Sequence, residues 1–138
     1  KSFIVNKGSK DNIRKGMPVL NDFYLVGKVI EVNYFSSRVL LLNDLNSKIP
    51  ITLQNDNVQA ILSGTGSKNP SLDYLPENYE SDVGTTIFTS GKDGLFKAGI
   101  PIGKISLDKN NKKSVSLFVD SDQLLIVNII GNVGENID

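Results

Sequence analysis

Two stretches of this chain, 76 positions apart, carry the same pattern. Val26-Gly27-Lys28-Val29 returns as Ile102-Gly103-Lys104-Ile105. An apolar run begins 12 residues after each glycine, at Val39 and at Val115. Each run ends in an aspartate 17 residues after its glycine, Asp44 and Asp120. A third element follows at the same shift, where Ile49, Ile51 and Leu53 match Leu125, Val127 and Ile129. A constant shift over so many positions is the mark of a duplicated structural unit. The chain is thereby organised around a paired scaffold rather than a single cleft. Gly27, Asp44, Gly103 and Asp120 are the residues that define the repeat.

The local periodicity is that of strands. Ile49, Ile51 and Leu53 alternate with Pro50, Thr52 and Gln54, the period of a half-buried strand. Val39-Leu40-Leu41-Leu42 is a continuous apolar run of strand length, which predicts burial on both faces. A glycine inside a strand pattern, as at Gly27, predicts a bulge or bend. Turn chemistry recurs at short intervals: Lys15-Gly16, Asn21-Asp22, Asn43-Asp44, Asp108 to Asn111 and Ser121-Asp122. Short strands between regular turns define an all-β barrel or sandwich. The runs number about eleven or twelve, hence about six per unit. The expected fold is two small six-stranded β-barrels in tandem, related by internal duplication, since closure removes exposed sheet edges. Helical spacing is not sustained, although Asp11 could cap one turn near Asp11 to Arg14.

The predicted boundary lies in Ser63 to Asn69, a loop-type stretch before Pro70. This gives a first barrel over 1–66 and a second over 67–138, with room for a strand to be exchanged between them. One difference separates the copies. Gly16 matches Gly84 at a shift of 68, so about eight residues are inserted around Thr89 to Lys97. The insertion is glycine-rich and carries Leu95-Phe96. Tyr34-Phe35 sits in a turn-rich context in the first unit. Apolar groups exposed on loops are contact candidates, so Tyr34, Phe35, Leu95 and Phe96 are the predicted partner-binding residues. The competing reading places them as plugs at barrel mouths.

Composition narrows the chemistry. Fifteen basic and fifteen acidic residues cancel, whereas a nucleic-acid reader carries a basic excess; no nucleic-acid partner is expected. There is no histidine and no cysteine, which removes thiolate metal sites, disulfides and the commonest acid–base group. No metal and no cofactor is expected. The chain starts at Lys1 and holds no apolar stretch of the roughly 20 residues that span a bilayer. It reads as a segment of a longer protein, which leaves targeting and anchoring segments open.

Three motifs have ready chemical readings, and each has a plainer one. Paired barrels suggest a trypsin-like protease, yet its serine needs a base, normally histidine. A serine–lysine pair using Ser36, Ser37 or Ser90 is the formal remainder. Gly99 to Ser106 looks like a phosphate loop, but three residues separate its glycines and Ile105 follows the lysine. Asp120-Ser121-Asp122 has oxygen ligands for calcium but lacks the rest of a calcium loop. A turn accounts for it, with Asp44 and Asp120 each accepting backbone hydrogen bonds at a strand end.

Lys15-Gly16-Met17-Pro18-Val19, Leu25-Val26-Gly27-Lys28-Val29, Ser36 to Asp44 and Ile49-Pro50-Ile51 resemble the first half of the MreC family of bacterial rod-shape-determining proteins. Tyr74-Leu75-Pro76, Val83-Gly84, Thr89-Ser90-Gly91, Gly94-Leu95-Phe96 and Gly99 to Gly103 resemble its second half. The likeness runs in family order over roughly residues 6 to 106. Thr85 and Lys97 depart from it, standing where the family often has aspartate and proline. The resemblance implies two β-barrels on the outer, periplasmic face of the cytoplasmic membrane, anchored through an N-terminal helix that precedes this segment. It implies a non-enzymatic scaffold of cell-wall elongation that maintains rod shape. The implied partners are further copies of itself, as dimer or filament, with MreD, MreB and penicillin-binding protein 2. A degenerate barrel protease and a glycan- or small-molecule-binding barrel are the alternatives; the latter predicts a concave pocket lined with polar groups.

Overall fold

A computed structural model of the chain describes residues 1–54, 57–92, 94, 96–120, 122, 128–130 and 136–137. The described residues form twelve strands and one short 3-10 turn, Ser9–Asp11. In chain order the strands are β1 (Ser2–Val5), β2 (Pro18–Asn21), β3 (Tyr24–Val32), β4 (Ser37–Leu41), β5 (Lys48–Leu53) and β6 (Gln59–Ser63). They continue as β7 (Ser71–Asp73), β8 (Thr86–Thr89), β9 (Pro101–Leu107), β10 (Lys113–Leu117), β11 (Asn128–Ile130) and β12 (Asn136–Ile137). The fold is all-β. The turn expected near Asp11 lies a little earlier, and Asp11 itself accepts a hydrogen bond from the Gly8 amide at 3.1 Å.

Two six-stranded sheets result. One runs β1-β4-β3-β2-β11-β12 and the other β10-β9-β8-β5-β6-β7. The second is nearly closed, because the Val115 amide at its β10 edge donates to the Pro70 carbonyl beside β7 at 3.1 Å. β3 and β9 approach each other where the sheets meet.

Matching positions of the sequence pattern make matching bonds in the two sheets. Gly27 lies opposite Leu41, Lys28 opposite Leu40 and Val29 opposite Val39. Gly103 lies opposite Leu117, Lys104 opposite Ser116 and Ile105 opposite Val115. The Gly16 amide donates to Val29 at 2.8 Å, and the Gly84 amide to Ile105 at 2.7 Å. Both glycines hold left-handed backbone, φ 95° and 94°, which an L side chain rarely adopts. The β2–β3 register shifts between Val19 and Leu20, and the β8–β9 register between Ile87 and Phe88. Those are matching places under the shift of 68.

The sheets do not part at residue 66. β5 and β6, which the linear boundary assigns to the first unit, belong to the second sheet. β11 and β12 close the chain yet lie in the first sheet. The trade is reciprocal and in register. Leu53 lies opposite Ile87 and Thr52 opposite Phe88; Ile129 lies opposite Val19 and Asn128 opposite Leu20. A period-two pattern states which face of a strand is buried and leaves its neighbour open.

Each sheet wraps its own core. The larger holds Ile49, Ile51, Leu53, Ala60, Leu62, Ile87, Phe96, Ile100, Ile102, Ile105 and Val115, with Leu25 and Leu42 reaching in from the first sheet. The smaller holds Ile13, Met17, Val19, Val29, Val39 and Ile129. Val39 through Leu42 are all buried; Val39 serves the small core and Leu42 the large one. That double duty is why the run carries no polar residue.

The repeat glycines are needed for the approach of neighbouring strands. A Cβ on Gly27 would stand 2.1 Å from the Leu40 carbonyl oxygen, and one on Gly103 2.4 Å from that of Ser116. Backbone atoms cannot swing aside as a flexible side chain can. Gly27→Ala and Gly103→Ala are each expected to cost about 3 kcal/mol or more, read as a lowered urea midpoint. A loss below about 0.5 kcal/mol would show that the strands separate easily.

Candidate functional site

The β3–β4 turn presents two aromatic rings to solvent. Tyr34 is 61% and Phe35 64% exposed. The rings meet edge to face, with centroids 4.8 Å apart and planes at 83°, a favoured geometry for aromatic pairs. The Lys10 Nζ lies 5.2 Å from the Phe35 ring centroid, within range of a cation–π attraction.

Backbone bonds hold this tip from beneath. The Ser9 amide donates to Asn33 at 2.9 Å and the Lys10 amide to Tyr34 at 3.2 Å. The Ser37 hydroxyl donates to the Lys7 carbonyl at 2.7 Å. Gly8 allows the approach, since a Cβ there would stand 2.2 Å from the Asn33 oxygen. A backbone clamped in this way has little conformational freedom left to lose.

The twin turn has different chemistry. Tyr34 and Phe35 match Asn110 and Asn111 under the shift of 76. There the Asp108 carboxylate accepts from the Asn110 and Lys112 amides at 2.8 and 2.9 Å. The scaffold therefore closes this turn without aromatics.

The inserted loop is organised otherwise than its composition suggests. Phe96 is only 4% exposed and belongs to the larger core. Its proposed role as an open contact residue is corrected here: the loop folds inward and the ring fills core volume. Leu95 lies outside the described residues. Thr89, wholly buried, ties the loop down. Its hydroxyl donates to the Lys97 carbonyl at 2.8 Å and accepts from the Ile100 amide at 3.0 Å. Sequence reasoning missed this residue, although a threonine flanking a glycine-rich insertion is the available signal.

Asp44 and Asp120 occupy matching turns. Asp44 accepts from the Asn46 amide at 2.8 Å and Asp120 from the Asp122 amide at 3.0 Å. Tyr34-Phe35 and these turns lie at opposite ends of β4, so the structure does not gather the predicted residues into one site. Among the described residues no cluster of three or more acidic, histidine or cysteine groups could hold a metal. Among them also, no helix is long and apolar enough to cross a membrane.

A second residue missed at first is Asn43. It is 5% exposed, and among the described residues its side-chain Oδ1 has no hydrogen-bond partner. It lines a cavity of about 200 Å³ where the ends of β4 and β10 converge, whose wall also includes Lys1, Lys68, Ser116, Phe118 and Asp120. The Tyr24 and Phe118 rings, 4.9 Å apart, link β3 to the end of β10 nearby.

A nearly closed six-stranded barrel joined to a second sheet defines an all-β barrel module, with two exposed rings on its β3–β4 turn. Residues 1–131 match the family described as rod shape-determining protein MreC, barrel core. The chain belongs to the MreC family. It is 38% identical over 127 residues to the cell shape-determining protein MreC of Caulobacter vibrioides, covering 92% of this chain and 37% of that one. The Cereibacter sphaeroides protein of the same name is 32% identical over 129 residues, covering 94% and 43%. The chain therefore spans well under half of either relative. The solved MreC of Listeria monocytogenes superposes with a TM-score of 0.85 at 28% identity, covering 98% of this chain and 70% of that one. The MreC of a complex with penicillin-binding protein 2 from Helicobacter pylori shares the fold, with a TM-score of 0.63, 20% identity and coverage of 80% and 73%.

The two aromatic sites call for opposite outcomes. Phe96→Ala is expected to lower stability by about 3 kcal/mol, because a buried ring leaves a void. Phe35→Ala should stay within about 0.5 kcal/mol of the parent. Urea titration of both variants checks this; equal losses would place the two rings in equivalent surroundings.

Proposed function

We propose that this chain is the extracytoplasmic assembly portion of a wall-elongation scaffold that maintains rod shape. It works by binding and carries out no reaction. The architecture proposed is two small six-stranded barrels related by internal duplication. Its repeats are β1 to β6 and β7 to β12, close to the halves 1–66 and 67–138, with one hairpin of each half exchanged. In the full-length protein a membrane anchor precedes this region and keeps it on the periplasmic face of the cytoplasmic membrane. Family membership along residues 1–131 supports this reading, as do the names of the relatives, which are cell shape-determining proteins.

The observation that carries the binding role is the tip at Tyr34 and Phe35. Both rings are exposed on a backbone held by Ser9, Lys10 and Ser37, at a turn whose twin closes with asparagines. Rigid aromatic anchors of this kind dominate many interfaces. Leu95, on the inserted loop, is retained as a second contact proposal.

Penicillin-binding protein 2 is the partner proposed first, because an MreC of this fold is solved in complex with it. Self-association as a dimer or filament, and links to MreD and MreB, complete the proposed assembly. A catalytic reading finds little support: the chain has neither histidine nor cysteine, and the Ser37 hydroxyl is committed to the Lys7 carbonyl.

The test uses the full-length protein and penicillin-binding protein 2 from the same organism. Phe35→Ala and Tyr34→Ala together are expected to weaken capture at least about tenfold while the melting temperature holds. Unaltered capture by the folded double variant would remove the tip from the interface.

A further inference from the structure

The repeated pattern supplies an internal control for charge. The β1–β2 and β7–β8 loops occupy matching places under the shift of 68. Each ends in a left-handed glycine, and the Gly16 amide donates to Val29 as the Gly84 amide does to Ile105. Their charges are opposite. Residues 7–15 hold Lys7, Lys10, Arg14 and Lys15 against one acid, Asp11, a net charge of +3. Residues 75–83 hold Glu77, Glu80 and Asp82 and no base, a net charge of −3. The zero balance of the whole chain conceals this separation. Neither sign is required by the frame, since one place accepts bases and its match accepts acids.

Both loops hold their charges in solvent. Lys10, Arg14 and Lys15 are exposed, and so are Glu77, Glu80 and Asp82. Among the described residues no ion pair joins one loop to the other. Glu80 lies 3.6 Å from the Lys113 Nζ, with 90% of its own side chain exposed; a pair so open is weak. Asp11, the acid of the basic loop, accepts from the Gly8 amide at 3.1 Å. Like charges gathered on one loop repel, and a surface of opposite sign relieves the repulsion. Apolar groups accompany both sets of charges. The Phe35 ring lies 5.2 Å from the Lys10 Nζ. Beside the acids, Tyr74 is 84% and Val83 56% exposed.

We propose that the basic β1–β2 loop of one copy of this chain docks against the acidic β7–β8 loop of a second copy. The occupant follows from the charges. The chain itself carries a surface of opposite sign and equal magnitude, with exposed apolar side chains at each. Complementary patches steer encounter and fix register, and salt screens them. Lys10 borders the tip at Tyr34 and Phe35, so a copy joined in this way and a protein bound at Phe35 exclude one another. The pairing presupposes the self-association proposed above and gives it two defined surfaces.

Sedimentation velocity of the full chain at rising concentration reads the association. One variant combines Lys10→Glu with Arg14→Glu, and the other Glu77→Lys with Asp82→Lys. The substituted residues are exposed, so both variants should keep the parent's melting curve. The parent is expected to associate, and each variant alone to do so at least about tenfold more weakly. An equimolar mixture of the two variants should regain most of the lost affinity, because each then meets a loop of opposite sign. Damage to the fold gives no such recovery. Raising sodium chloride from about 0.05 to about 0.5 M should weaken the parent several-fold. Association that neither variant alters, or a mixture no stronger than its components, would overturn the pairing and leave self-association standing. A parent that stays monomeric at about millimolar concentration would overturn both. If the Lys10 and Arg14 variant loses binding to phosphatidylglycerol vesicles while its self-association is unchanged, the basic loop meets lipid and the pairing fails.

Discussion

The pairing of β5 with β8, and of β11 with β2, holds the two sheets in a single structure. Leu53 opposite Ile87 and Ile129 opposite Val19 are the same contact made twice, once in each direction. Ile49, Ile51, Leu53, Ala60 and Leu62 enter the larger core from the first half of the chain. Ile129 enters the smaller core from the second. Neither core is complete without the other half. Units of some 65 residues bury a modest fraction of their surface and are marginal alone. The pairing of β5 with β8 and of β11 with β2 brings both halves of the chain into each sheet.

A frame built in this way separates two kinds of position. Strand positions are tightly constrained: Gly27 by the Leu40 carbonyl, Gly103 by that of Ser116, Val39 by the smaller core, and Leu42, just past β4, by the larger one. Turns carry fewer such demands and need only satisfy their own amides. The Asp108 carboxylate does so at one β-hairpin end; at the other, the backbone of Ser9 and Lys10 packs beneath the tip. Loops of this sort can vary in chemistry without disturbing the frame. That places the exposed rings of Tyr34 and Phe35 where a partner can reach them while the supporting backbone stays fixed.

Much of this was legible in the residues. The shift of 76 located matching strands, and the alternation at Ile49, Ile51 and Leu53 marked the face that is buried. The sheet that β5 joins was not legible, because alternation encodes a face and carries no information about the neighbouring strand. Phe96 was misread for a related reason. Gly91, Gly94 and Gly99 all adopt positive φ, and that composition describes a loop's turns without stating which way an apolar side chain points. The Thr89 hydroxyl, bonded to both Lys97 and Ile100, decides the matter by pulling the loop against the core. Asn43 was passed over as a turn residue, since Asn-Asp is ordinary turn chemistry and only burial reveals an unmet acceptor.

Comparison of the repeats sharpens what a single copy leaves ambiguous. A residue kept in both copies at one structural place, such as Gly27 with Gly103 or Asp44 with Asp120, can be explained by the frame alone. A residue present in one copy and replaced in the other cannot be required by the turn geometry that both share. Tyr34 and Phe35 against Asn110 and Asn111 are a difference of that kind. The two rings expose apolar area to water. That is unfavourable in the isolated chain and becomes favourable only when something else supplies the missing contact. Departures from the repeated pattern, weighed by their physical cost, are therefore the positions at which the proposed contacts are tested first.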